Sequence, residues 1–125
     1  MKKKSLNFIL PLVVYPFDIM VSFGQTDKEV IAALNKYGIT DEDELKLVTL
    51  NGVGRYCMFS NNASLIRLWT YPEYAEDYGT LAHEIFHAVT FILDKTGMDI
   101  QLKVSDEAYS YLIGYITTQI YKRLK

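Results

Sequence analysis

The sequence predicts an α+β domain in which a small mixed or antiparallel sheet packs on two long helices. Three observations carry that expectation. Up to about residue 70, short β-branched and aromatic runs alternate with Gly, Asn and Pro punctuation, the pattern of strands and turns. From Pro72 onward the apolar period lengthens to about 3.6 residues and holds over two long stretches. Half of the 125 residues are apolar, which supports one core and leaves no room for a second domain of ordinary size. Residues 1–125 are therefore expected to form one domain.

Each element has its own local warrant. Lys2, Lys3 and Lys4 precede an apolar run from Leu6 to Val14, which resembles the opening of a signal peptide. Pro11 interrupts the run, however, and no small-residue cleavage site follows. Residues 1–7 are expected to be a flexible basic tail. Tyr15 to Phe23 reads as a strand whose start, with Pro16 and Asp18, suits a sheet edge. Thr26 and Glu29 form a capping box, Val30, Ile31 and Leu34 give one apolar face, and Gly38 supplies a stop, so a helix of about three turns follows. Between Thr40 and Leu50, Thr40-Asp41-Glu42-Asp43 can cap a short helix, while Leu47 to Leu50 before Asn51-Gly52 also suits a hairpin; the short helix is preferred. Arg55–Ser60 and Ser64–Thr70 bracket Asn61-Asn62 as an antiparallel hairpin. The helical pattern after Pro72 runs to Lys95, with Gly97 in the stopping position. Ser105 is placed to cap a last helix that opens with Asp106 and Glu107 and closes with Lys122 and Arg123, each charge matched to the helix dipole.

Charge and cysteine content restrict the function classes. The net charge is −2, but six of the thirteen basic residues sit at the two ends, leaving seven against fifteen acids in the body, a net of −8. That argues against a nucleic-acid-binding face, which needs clustered basic surface. No run approaches the roughly 18 apolar residues of a membrane span. The single cysteine, Cys57, permits no internal disulfide, and a reducing cytoplasm is the favoured compartment. A monomer is expected.

The chemistry concentrates in His83-Glu84-Ile85-Phe86-His87. Residues four apart share a helix face, so the two imidazoles can point at one ion while Glu84 stands beside it without having to ligate. Two neutral imidazoles suit Zn²⁺, which lowers the pKa of a bound water to about 7, and an adjacent carboxylate can take that water's proton. These are the only histidines in the chain, and so spaced before a glutamate they would arise by accident about once in a thousand placements. Catalytic zinc wants three protein ligands and an open position. Glu107, twenty residues after His87 in the first turn of the next helix, is preferred as the third; its neighbour Asp106 is the rival, and Cys57 is a further candidate.

His83-Glu84-Ile85-Phe86-His87 followed by Ser105-Asp106-Glu107-Ala108-Tyr109 resembles the gluzincin branch of the zincin-like metallopeptidases, over residues 64 to about 118. The resemblance implies His83, His87 and Glu107 as ligands of one Zn²⁺, Glu84 as general base and acid, and an edge strand before the active-site helix that holds an extended peptide or protein substrate. Asp106 and Tyr111 stand where thermolysin-like members carry an asparagine and an aspartate, and the chain lacks a second lobe. It looks like a minimal zincin core of the kind carried by phages and mobile elements. Tyr109 and Tyr111 are candidates for stabilising an oxyanion, although ten tyrosines in the chain make incidental placement equally natural. The strand Ser64–Thr70 is the candidate substrate edge, with an ordinary amphipathic edge strand as the competing reading. Two other functions stay open: a deformylase-like amidase using Cys57, and a non-enzymatic regulatory module that keeps zinc for stability.

Overall fold

Every described strand finds its partner through the second and fourth, which form the middle of a four-stranded sheet. The computed structural model describes residues 4–100 and 105–124. The strands are β1 (Leu6–Pro11), β2 (Asp18–Phe23), β3 (Gly54–Met58) and β4 (Ala63–Leu68). They lie in the order β1-β2-β4-β3, with β2 and β4 parallel and the two outer pairs antiparallel. The helices are α1 (Asp27–Tyr37), α2 (Glu42–Leu45, continued by a 3₁₀ turn at Lys46–Val48), α3 (Ala75–Lys95) and α4 (Asp106–Arg123). The α+β expectation holds.

Strand alternation divides the apolar side chains between two cores. Ile19, Val21 and Phe23 of β2 and Ile66 and Leu68 of β4 face α3 and α4. Met20, Ala63 and Leu65 face the opposite way, where Val30 and Leu34 of α1 and Val48 cover them. α3 contributes Leu81, Ile85, Ala88, Val89, Ile92 and Leu93 to the larger core, and α4 contributes Tyr109, Leu112, Ile116 and Ile120. Those spacings are the stripes that the period after Pro72 announces.

Local signals place the helix ends. The Glu29 N–H donates to Thr26 Oγ1 at 3.1 Å, and the Thr26 N–H to Glu29 Oε1 at 2.8 Å, the reciprocal box read from the sequence. α1 then ends at Gly38, with φ 119°. Asn61 and Asn62 adopt φ of 66° and 57° between β3 and β4, which confirms the hairpin. The short helix before it also forms, capped by Asp41, whose Oδ1 accepts the Asp43 and Glu44 N–H groups at 2.9 and 3.1 Å.

Several expectations need correction. The strand expected over Tyr15–Phe23 is shorter, and a second one precedes it: Leu6 to Pro11 pairs with β2, so Leu6 and Asn7 belong to the sheet and not to a flexible tail. Phe8 and Leu10 are buried there; antiparallel pairing uses the apolar run that composition alone likened to a leader. Residues 1–3 of the expected tail lie outside the described residues. The expected substrate edge at Ser64–Thr70 is not an edge. β4 is hydrogen-bonded on both sides and buried along its whole length, as a strand covered on both faces must be; the edge strands are β1 and β3. The Ser105 side chain does not cap α4 but donates to the Asp99 carbonyl. No described helix is long and apolar enough to cross a membrane.

Candidate functional site

α3 is fixed at its start by Asp77, whose Oδ2 accepts the N–H groups of Glu73 and Tyr74, both at 2.9 Å. A carboxylate there satisfies orphan donors and suits the positive helix end. With the apolar stripe held in the core, the opposite face carries Glu76, Thr80, His83, His87 and Phe91 in one row. His83 is exposed and His87 half-buried.

The two imidazoles converge. His83 Nε2 and His87 Nε2 lie 3.0 Å apart, with ring centroids at 4.6 Å and planes at 80°. A tetrahedral ion with Zn–N bonds of 2.0–2.1 Å separates two ligand nitrogens by about 3.3 Å; the 3.0 Å separation is close to that and is also the length of a direct N–H···N hydrogen bond between the rings.

Glu84 is set between that pair and the sheet. It is only 6% exposed, and burial raises its carboxyl above the ordinary value, opposed by the nearby charges of His83, His87 and Arg55. A carboxylate shifted in that direction is a better proton acceptor at neutral pH than an exposed one. Its neighbour across the interface is Gly54, the first residue of β3. A Cβ at Gly54 would come within 2.7 Å of Thr80 Cγ2 and 3.1 Å of Glu84 Oε2. Only a residue without a side chain lets the edge strand lie this close to the base.

β3 therefore runs along the histidine-bearing helix and forms one wall of a groove. At one end a cavity of about 460 Å³ is lined by Val53, Gly54, Glu76, Gly79, Thr80, His83 and Glu84. At the other, Tyr56 of β3 stacks on Phe91 with centroids 5.7 Å apart. The outer side of β3 has no strand partner among the described residues, leaving backbone donors and acceptors available for an added strand.

Against protein families, curated proteins and solved structures, the chain matches none. The site is therefore read from its own geometry.

That geometry does not bring every expected residue together. Among the described residues, no three His, Cys, Asp or Glu side chains form a group able to hold a metal ion. Glu107 is exposed in the first turn of α4, and Asp106 is half-buried. α4 runs antiparallel to α3, with Tyr121 against Tyr78 at 5.5 Å between centroids. Counting back along both helices from that contact puts Glu107 level with Ile92, about 7 Å along the axis from His87. A ligand role for Glu107 therefore needs its side chain to reach back along α3 towards His87. Tyr109 is buried, and its hydroxyl donates to the Met98 carbonyl at 3.0 Å, so its polar end closes the α3–α4 connection. Tyr111 is 71% exposed and lines a separate apolar cavity with Leu12, Val13, Val14, Tyr15, Leu112 and Tyr115. Cys57 is buried on the α1 side of the sheet, opposite α3, which removes it from the histidines.

Two residues of the groove escaped sequence reasoning. Neither Gly54 nor Glu76 belongs to a motif read from the sequence. The available signal for Glu76 was its position seven residues before His83, two turns away on the same face.

Proposed function

We propose that this chain is a zinc-dependent endopeptidase in which His83 and His87 hold the ion and Glu84 acts as general base and acid. The observation that carries the reading is the 3.0 Å approach of the two Nε2 atoms beside a buried glutamate. The two imidazoles and their spacing fit zinc. Zinc bound there supplies Lewis acidity for hydrolysis at neutral pH.

The remaining work falls to side chains and backbone of this chain. Glu84 takes a proton from the attacking water and passes it to the leaving amine, a transfer that general acid–base catalysis rewards by roughly 10²–10⁴-fold. Burial keeps its carboxylate directed into the groove and raises its basicity. The free edge of β3 aligns an extended substrate by main-chain hydrogen bonds, a role that β3 takes over from the interior strand β4.

Metal analysis of the purified chain, paired with peptide-library cleavage, tests the reading. About one zinc per chain is expected, lost in the His83→Ala, His87→Ala double variant. Glu84→Gln should retain zinc and lose cleavage by at least about 100-fold. A Glu84→Gln variant as active as the parent would overturn the proposal. Glu107 enters as the proposed third ligand: Glu107→Ala should weaken zinc binding while Asp106→Ala and Cys57→Ala leave it intact. Unchanged zinc affinity in Glu107→Ala would leave the two histidines as the protein's whole contribution. Stoichiometric zinc with no cleavage would instead favour a zinc-containing regulatory module.

A further inference from the structure

The cavity at the α3 N-terminal end of the groove has a chemical bias of its own. Its charged lining is Glu76 and Glu84, with the His83 imidazole between them, and no described Lys or Arg contributes to it. Glu84 is buried and, in the peptidase reading, committed to proton transfer. Glu76 is exposed at the far end, and no described basic side chain forms an ion pair with it. Its backbone carbonyl accepts the Thr80 hydroxyl at 3.1 Å. The walls between the two carboxylates are Gly54, Gly79 and Thr80, all small, and a Cβ at Gly79 would meet nothing within 4 Å. The result is an open channel about 460 Å³ in volume that leads from the base to a carboxylate with no ion-pair partner among the described residues.

We infer that this cavity is a specificity subsite for a basic side chain of the substrate, with Glu76 as the residue that selects it. The inference rests on the peptidase reading for its choice of a peptide as ligand. The dimensions agree with it. Eight helical residues separate Glu76 from Glu84, about 12 Å along the axis. An extended peptide advances about 3.3 Å per residue, and a Lys or Arg arm reaches roughly 6 Å beyond its backbone. A basic residue one or two positions from the bond being cut brings its cation to Glu76. An aliphatic side chain there would leave the carboxylate unpaired, and an acidic one would meet two like charges.

Binding can be read without cleavage in the full-length Glu84→Gln chain. The probes are fluorescein-labelled, alanine-rich decapeptides that carry one central Arg, norleucine or Glu, titrated at low salt and followed by anisotropy. The Arg peptide is expected to bind at least tenfold more tightly than the norleucine peptide, and the Glu peptide more weakly than either. Adding Glu76→Gln should bring Arg and norleucine within about twofold, and Glu76→Lys should reverse the order in favour of Glu, with far-ultraviolet circular dichroism showing the fold intact. Equal binding of the three peptides, no binding of any, or an Arg preference that survives Glu76→Gln overturns the assignment. Cleavage by the parent chain separates the two claims. Glu84-dependent cleavage without a basic residue near the cut removes the subsite and leaves the peptidase. Arg-selective, Glu76-dependent binding without any cleavage removes the peptidase and leaves the subsite.

Discussion

At the scale of single residues, the absence of a side chain at position 54 has the largest consequence. Gly54→Ala places a methyl group 2.7 Å from Thr80 Cγ2 and 3.1 Å from Glu84 Oε2. Either β3 moves outward or Glu84 turns away. The expected cost is about 1–3 kcal/mol in urea unfolding, together with a loss of peptidase rate larger than that stability change explains. Parent-like activity and stability would show that the strand yields freely. Cys57 and Tyr56, adjacent on β3, give a pH dependence. Burial is the leading cause that raises Cys57 to about 11, from 9.0, and Tyr56 to about 12, from 10.0. The unfolded chain then releases these protons at lower pH than the folded one. Their stabilisation is complete below pH 9 and is lost as pH rises through 11 to 12, about 2–3 kcal/mol per group. Chemical unfolding followed from pH 8 to 11 should show this decline, reduced in Cys57→Ala. Cys57 should also resist iodoacetamide at pH 8 until the chain is unfolded.

At the scale of elements, the buried arginine of β4 ties three segments together. Arg67 is fully buried. Its Nη1 donates to Asp27 Oδ1 at 2.5 Å and to the Val48 carbonyl at 2.7 Å, while Nη2 donates to the Gln25 carbonyl at 2.9 Å. One guanidinium thus holds the start of α1 and the end of the 3₁₀ turn against the sheet. Removing its only carboxylate partner among the described residues leaves a buried cation without a counter-charge, whereas removing the arginine leaves a half-exposed aspartate that water can solvate. The asymmetry gives a prediction: Asp27→Ala should cost about 3 kcal/mol or more, and Arg67→Met, which fills the space with apolar atoms, should cost less. Denaturant midpoints of the two variants decide it, and the reverse order would refute it.

At the scale of the whole molecule, the sheet needs its first strand. β1 places Phe8 and Leu10 in the core shared with α3 and α4 and covers one edge of β2. Deleting residues 1–11 should therefore abolish cooperative unfolding and expose a bare β2 edge prone to pairing with other chains. A sharp melt from the truncated chain would contradict this placement. Zinc would act at the same scale if it binds only the folded state. Saturation at 100 times Kd should then add about 2.7 kcal/mol to stability, an increment absent from the His83→Ala, His87→Ala variant.

The parts of this protein legible in its sequence are those governed by neighbours three or four residues apart. The Thr26–Glu29 box, the Asn61-Asn62 turn, the stripes of α3 and α4 and the convergence of His83 with His87 all follow from helix and turn geometry, which few local torsions determine. Strand order obeys no such local rule. That β4 is interior and β3 the edge, that Leu6–Pro11 joins the sheet, and that Arg67 points into a core depend on pairings between distant segments, which only the folded chain decides. The candidate site divides along the same line. The sequence alone set the two imidazoles and the glutamate on one helix, while tertiary structure brought Gly54 against Glu84, opened the cavity leading to Glu76, and fixed the register of α4 on α3, which is a matter of packing.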